Sequence, residues 1–242
     1  MHPENKRANI LAINSVEALK YLTLKDTEGG LTLEEIDHIF KLCDAIWFHS
    51  GDRNQPHVAT RGGGCSAGYV DALRVLIYTN ICRMFARDLH KKLIQAFPSA
   101  VDWAIGSAHA AATFSHSVAC LYPGAKHDFT EKSPDGRQLW QRFQIQPHEI
   151  VLQIEETITA LTTLKLVREG IREGNFSPVN FAPVVGTLVH RSGIYEFESA
   201  PIIYLRHYDI ETWSQDECYL CKMGSERLED PKKNWAKLTG KY

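Results

Sequence analysis

A chain of 242 residues, 44% hydrophobic and 23% charged, has the makeup of a soluble globular protein and is long enough for one sizeable α/β core. A formal net charge of -2 supplies no global basic field for gripping nucleic acid, and no apolar run approaches the length that spans a bilayer. The start, MHPENKRANI, lacks the long apolar stretch of a secretory signal, and four of the six cysteines lie singly among apolar or small residues, so a cytoplasmic protein with reduced thiols is expected.

Thr32 followed by Glu35 has the form of a capping box, and Ile36, Ile39, Phe40, Cys43 and Trp47 then recur at helical spacing. A turn-rich stretch runs from His49 to Gly68. From Tyr69 to Phe97 the pattern is helical again, with Leu73, Leu76, Ile77, Phe85, Leu89 and Leu93 on one face. Beyond Pro98 the rhythm changes. Val101 to Ile105 reads as a short buried strand ended by Gly106, and Ala108 to Cys120 as a helix of small residues. His127 to Glu131 and Leu139 to Ile145 are weaker strands around the turn Ser133-Pro134-Asp135-Gly136. Ile150 to Ile154 is a second buried strand, followed by a polar turn and a helix from Thr162 to Glu173. Val184 to Val189 and Ile202 to Leu205 complete the set. Strands alternating with helices predict a mainly parallel sheet flanked by helices. The simplest division is one domain over 1–242: a helical N-terminal and hood region to 97, a core sheet over 98–208, and a tail from 209.

The chemistry concentrates in Ile150-Val-Leu-Gln-Ile-Glu155-Glu156-Thr157-Ile158-Thr159-Ala160-Leu161-Thr162-Thr163. This is a strand, two adjacent carboxylates and a hydroxyl-rich turn opening a helix. Ligands of open α/β sheets bind outside the carboxyl ends of strands. Two carboxylates there accept hydrogen bonds from a vicinal diol, or organise magnesium through its waters. The turn offers N–H groups and threonine hydroxyls at a helix N-terminus, which suits an anion. Diol acceptors beside a phosphate cradle describe a ribose 5-phosphate. Taken alone, the same residues also read as a solvated strand end and an ordinary helix cap.

The neighbouring segments extend the pattern. Glu155 to Thr163 resembles the E-D-V-[IV]-T-T-G-G-S signature of the type I phosphoribosyltransferases, and the orotate-specific branch is the nearest likeness. Pro56-His57 with Gly63-Gly64-Cys65-Ser66-Ala67-Gly68-Tyr69-Val70 resembles that branch's P-H-A-x-L-x-S-G-x-H-S-x-G-[FY]-[VI]. Gly106-Ser107-Ala108-His109-Ala110-Ala111 resembles its G-P-A-x-G-G pyrophosphate loop. Phe129-Thr130-Glu131-Lys132, Asp135-Gly136 and Arg142-Phe143 resemble its mobile segment, and Cys218-Tyr219-Leu220-Cys221-Lys222-Met223-Gly224 a C-P-L-C-x-x-G tail of bacterial members.

The resemblance implies a type I phosphoribosyltransferase fold with a small hood. It implies displacement of pyrophosphate from phosphoribosyl pyrophosphate by a nitrogen of a pyrimidine-like base, with magnesium. Gly106, Ser107, Ala108 and His109, with Glu155, Glu156, Thr159, Ala160, Leu161, Thr162 and Thr163, would then bind substrate. Lys132, helped by Arg142 and Arg137, would neutralise the departing diphosphate from a closing loop. That loop commonly closes over the neighbouring subunit's site in the orotate branch, so a homodimer is implied as well. The mobile segment, Phe129 to Phe143, is expected as a hairpin over the site.

Several positions depart from the family pattern. Leu161 stands where the phosphate loop has glycine, so its side chain threatens the phosphate and a positive φ would be costly there. Glu156 replaces aspartate, Ala110 and Ala111 replace a glycine pair, His109 brings an imidazole into the pyrophosphate loop, and Cys65 takes a histidine position. Three readings stay open: a transferase for an orotate-type or other heterocyclic base, a catalytically degenerate nucleotide-binding sensor, and an assembly module for an unidentified protein partner. Cys218 and Cys221 offer half of a zinc site, to which His207 or His190 could add ligands, although a packed, reduced pair explains them too.

Overall fold

The computed structural model describes residues 7–60 and 62–241. The first six residues, part of the opening read as lacking a secretory leader, lie outside them. Among the described residues no helix is long and apolar enough to cross a membrane.

The N-terminal region opens with α1 (Val16–Leu19) and α2 (Leu33–Leu42), the latter started by the expected capping box of Thr32 and Glu35. Helical spacing overreaches here. The chain turns at Asp44, with φ of 53°, and Trp47 lies in a strand, β1 (Ile46–Phe48). The turn-rich stretch holds two short strands that carry no periodic signal, β2 (His57–Ala59) and β3 (Cys65–Ser66). Then β4 (Gly68–Val70) pairs antiparallel with β1, so the long helix expected from Tyr69 is instead a strand, α3 (Leu73–Leu76) and α4 (Thr79–Ala96).

From residue 103 strands and helices alternate: β5 (Trp103–Ser107), α5 (Ala110–Ala119), the hairpin β6 (Lys126–Lys132) and β7 (Gln138–Leu139), β8 (Ile150–Ile158), α6 (Thr162–Glu173), β9 (Asn180–His190), β10 (Glu196–Phe197) and β11 (Ala200–His207). They form one seven-stranded sheet in the order β10-β11-β9-β8-β5-β6-β7. The five central strands are parallel, and the two edge strands run antiparallel. This is the expected α/β class. Leu152 and Ile154 pack on one face with Leu89, Leu93 and Phe114 of α4 and α5. Val151 and Ile105 pack on the other with Val167 and Ile171 of α6. Both faces of the central strands are covered, which is why they read as continuous apolar runs.

The tail adds β12 (Thr212–Trp213), α7 (Tyr219–Lys222), β13 (Arg227–Leu228) and α8 (Trp235–Thr239). It returns to the hood: β12 pairs with β3 and β13 with β2, giving a four-stranded sheet in the order β12-β3-β2-β13.

Candidate active site

In chain order the parallel strands begin β5, β6, β8, yet β5 lies between β6 and β8. The connections leave β5 and β8 in opposite directions, and the crevice between them is the switch point where ligands bind in open α/β sheets. The register opens that crevice. The β5 strand pairs with β6 as far as Ser107↔Thr130, but with β8 only as far as Ile105↔Gln153. Beyond Gln153, β8 continues along β9 alone, through Glu155↔Thr187 to Ile158↔His190.

Gly106 is at the tightest point and continues the strand rather than ending it. A Cβ there would lie 2.7 Å from the Ile154 carbonyl oxygen and 2.9 Å from that of Ala111. Both obstacles are backbone, so only glycine fits. Ser107, Ala108 and His109 leave the strand beside it, and the Ala108 N–H donates to the Thr130 carbonyl at 3.0 Å. The peptide joining Ala108 to His109 is cis. His109 is exposed, whereas Ala110 and Ala111, which open α5, are buried against the sheet.

The carboxylates differ from the expected pair at a strand end, because β8 runs four residues past Ile154. Strand alternation turns Glu155 and Glu156 to opposite faces. Glu155 lies on the α6 face with Gln153, whose side-chain amide donates to the Leu164 carbonyl at 3.3 Å. It is 2% exposed and accepts the Ser107 hydroxyl at 2.7 Å, a direct link across the crevice from β5 to β8. Burial, reinforced by the charge of Glu156, pushes its carboxyl up to about 8, with the Ser107 hydrogen bond pulling the other way. Glu155 therefore holds its proton more tightly than an ordinary carboxyl, and Glu156 beside it is half-buried.

Thr159 and Ala160 form an exposed bend, and Leu161 is the first flanking residue of α6. Leu161 has φ of -78° and ψ of -2°, so no left-handed backbone is imposed on it. Its side chain packs with Ile158, Leu164, Val185 and Phe197 rather than standing in the anion's place. Among the described residues no side chain caps the start of α6, and Thr162 and Thr163 are exposed, so the first N–H groups of a 12-residue helix are available to a ligand.

The hairpin departs from expectation. Of the predicted Leu139–Ile145 strand only Leu139 is in a strand, the short β7 (Gln138–Leu139). Trp140 is buried with Trp103 and Ile105, and α6 approaches the returning chain so closely that a Cβ on Gly170 would lie 2.1 Å from the Gln138 carbonyl oxygen. The expected mobile flap is thus rooted on its own domain, at the sheet edge, by large apolar side chains. Arg142 is engaged on that hairpin. It pairs with Glu131, lies 3.6 Å from Asp128 and sits over the Phe129 ring. Arg137 pairs with Asp135 at 2.7 Å. Lys132 is exposed and makes no ion pair among the described residues. Of the expected cations, it alone makes no ion pair among the described residues, and it lies two residues beyond Thr130, where β6 stops pairing with β5.

Arg191 carries no sequence signal, since a single arginine after an apolar strand is unremarkable. Its N–H donates to the Ile158 carbonyl at 2.7 Å, fixing it at the joined carboxyl ends of β8 and β9. Its guanidinium donates to the Ser66 hydroxyl at 3.3 Å and the Gly68 carbonyl at 3.2 Å, but Nε is buried with no partner among the described residues. Burial lowers the guanidinium to about 10, and no carboxylate pairs with it among the described residues. The paired cysteines also surprise. Cys218 and Cys221 start α7 beside His57 and Cys65, while His190 and His207 bond each other at 2.9 Å within an aromatic cluster on β9 and β11.

No family model matches the chain. It is 31% identical over 186 residues to the orotate phosphoribosyltransferase of Caldicellulosiruptor saccharolyticus, covering 77% of this chain and 90% of that protein. It is 28% identical over 192 residues to that of Caldanaerobacter subterraneus subsp. tengcongensis, covering 79% and 93%. Among solved structures, the orotate phosphoribosyltransferases of Mycobacterium tuberculosis H37Rv (TM-score 0.48, 16% identity, 70% of this chain and 94% of that one) and Aeropyrum pernix (0.45, 14%, 79% and 90%) are similar. The weight rests on the sequence relationship, which spans nearly the whole of the relatives: the chain belongs to the orotate phosphoribosyltransferase family, a family of pentosyltransferases.

Proposed function

We propose that the protein transfers the 5-phosphoribosyl group of phosphoribosyl pyrophosphate to a ring nitrogen of a pyrimidine-like base bearing a carboxylate, as orotate does, with release of pyrophosphate. One observation carries the reading. At the β5/β8 switch point, the Ser107–Glu155 bond fixes the glycine loop beside the acid segment and the uncapped start of α6.

The first N–H groups of α6, with the Thr162 and Thr163 hydroxyls, hold the 5-phosphate. Glu156 accepts from the ribose hydroxyls, while Glu155, accepting the Ser107 hydroxyl, orients Ser107 and the loop that follows it. The diphosphate lies along Ser107, Ala108 and His109, and Lys132 offsets the charge that develops as it departs. Arg191 is the anchor for the base. A nearly buried guanidinium without a carboxylate partner is costly unless an anion joins it, and a base carboxylate supplies one. Carboxylate and hydroxyl oxygens suit magnesium, and Glu156 would hold the ion through its waters. When bound, magnesium offsets diphosphate charge. A homodimer would follow from the family likeness, and Lys132 at the sheet edge is placed where a second subunit could meet it.

The test is pyrophosphate release from phosphoribosyl pyrophosphate with orotate, uracil and purine bases. Turnover is expected with orotate. Arg191→Gln should raise the KM for orotate about tenfold or more, the size of one lost charge-assisted hydrogen bond, while leaving phosphoribosyl pyrophosphate affinity unchanged. Tight binding of phosphoribosyl pyrophosphate without turnover on any base would overturn the proposal in favour of a sensor.

A further inference from the structure

We propose that His57, Cys65, Cys218 and Cys221 hold a structural zinc ion that fastens the tail to the hood. The four ligand atoms lie within 4.8 Å of one another. The Cys65 and Cys221 sulfurs are 3.6 Å apart, and His57 Nε2 lies 3.7 Å from the Cys218 sulfur and 3.3 Å from that of Cys221. A tetrahedral zinc with ordinary bond lengths needs edges of about 3.8 Å between sulfurs and about 3.6 Å between sulfur and nitrogen. These three edges already approximate that figure.

The surroundings point the same way. The Ser225 hydroxyl donates to the Gln55 carbonyl at 2.7 Å, so its single proton is committed. It must accept from His57 Nδ1–H at 2.9 Å, which fixes the tautomer with the Nε2 lone pair aimed at the sulfurs. The Cys221 N–H points at the Cys218 sulfur at 3.5 Å, a contact that favours thiolate. The Arg227 guanidinium, pinned to the Gly63 and Gly64 carbonyls, lies beside Cys65 and offsets the net charge of three thiolates on one divalent ion. His57, Cys65 and Cys218 are buried, and four protein ligands leave no open position, so the site is structural rather than catalytic.

The topology gives the ion a task. Its ligands come from β2, β3 and α7, residues separated by as many as 164 positions in the chain. The sheet they join has strands of only two or three residues, too short to hold by backbone pairing. Its apolar support is small: Val58 and Leu228 pack with Trp47, Trp235 and Leu238, and a second cluster consists of Cys65, Cys218 and Leu220, two of which are ligands. Binding replaces three thiol protons, which are released to solvent as three Zn–S bonds form.

Metal analysis of the protein purified without added metal should give one zinc per chain, independent of any transferase activity. Exchange into cobalt(II) should produce the visible bands of a tetrahedral thiolate site. Chelation should expose three further thiols to a thiol reagent, and zinc returned to the stripped protein should release an equal count of protons per ion as it binds. Cys65→Ser and Cys218→Ser should lose most of the zinc, whereas Cys120→Ser, at an exposed cysteine away from the cluster, should retain it. The proposal is overturned if the intact protein carries no zinc and takes up no cobalt, if mass spectrometry finds a disulfide among these cysteines, or if Cys120→Ser loses metal equally. The cobalt and thiol measurements use the unaltered chain, so a ligand variant that fails to fold does not leave the question open.

Discussion

The two larger sheets of this molecule are held together by different physics. The seven-stranded sheet has central strands of five to eleven residues whose side chains enter a large apolar core on both faces. Removing one of its polar groups would leave most of that burial intact. The four-stranded sheet has strands of two or three residues, rests on a small apolar cluster of Val58 and Leu228 with Trp47, Trp235 and Leu238, and gathers three sulfurs and an imidazole beside it. The first sheet bears the proposed reaction at a place that topology creates. The second brings distant segments together around one polar cluster, and Arg191 reaches from the first to Ser66 of the second. A protein of this design should fail in one region without failing in the other.

Chelation gives the sharpest separation. Removing zinc should unfasten the hood and tail, costing several kcal/mol in that unit and lowering Tm by about 10 °C, while helical circular dichroism from α4, α5 and α6 largely persists below the transition. Loss of all structure in a single step on chelation would break the distinction between the two sheets.

The acid site predicts a pH effect confined to the core sheet. Glu155 has a folded pKa near 8 against an ordinary value of 4.5. Between those values the folded state binds the proton more tightly than the unfolded chain, so stability is highest at the acid end and falls as pH rises, by roughly 3 kcal/mol from pH 5 to 8. Glu155→Gln keeps an acceptor for Ser107 and has no charge to bury, so its denaturant midpoint should drift less over that range and overtake the natural protein near pH 8. Parallel curves would place the carboxyl's titration elsewhere. Zinc content should not change.

Legibility in the sequence divides along the same line. The helix over Thr162–Glu173 and the strands at Trp103–Ser107 and Asn180–His190 were readable to within a few residues, because periodicity and long apolar runs reflect burial of regular elements. The crevice was readable as well, since the two buried apolar runs that lead into Gly106 and the acid segment form the neighbouring strands β5 and β8. Glu155 and Glu156 looked like a turn because polar residues rarely lie in the middle of a buried strand, yet pairing with β9 carries the strand through them. Two-residue strands have no period at all. Nothing local tied His57 and Cys65 to a cysteine pair more than 150 residues later, so half of a zinc site was visible and the other half was sought on His190 and His207. Arg191 was invisible for a different reason: its meaning is an unpaired buried charge, which only packing reveals.

A third variant tests the hairpin's root. Gly170→Ala sets a methyl 2.1 Å from the Gln138 carbonyl oxygen, an obstacle of backbone that can yield only by parting α6 from the hairpin. The expected cost is about 2 kcal/mol, or about 6 °C in Tm, again with zinc retained. If the hairpin is a freely moving flap instead, the variant should be close to neutral in stability.

The smallest effect belongs to Leu161, the position that looked most damaging in the sequence. A leucine in place of a phosphate-loop glycine would be harmful if the turn needed positive φ or if the side chain filled the anion's place. Neither holds: its φ is -78°, and the side chain joins the apolar cluster around Ile158 and Leu164. The N–H groups that would meet the phosphate belong to the helix that follows, and a residue with helical dihedrals at its flank leaves their direction unchanged. Leu161→Gly therefore removes partial apolar burial and frees the backbone of the unfolded chain, together costing about 1 kcal/mol. Affinity for phosphoribosyl pyrophosphate, measured by calorimetric titration, should stay within about twofold, a change of less than one RT. A tenfold gain in the glycine variant would mean that the loop must leave this conformation to bind phosphate, and that the leucine holds the site in a closed form.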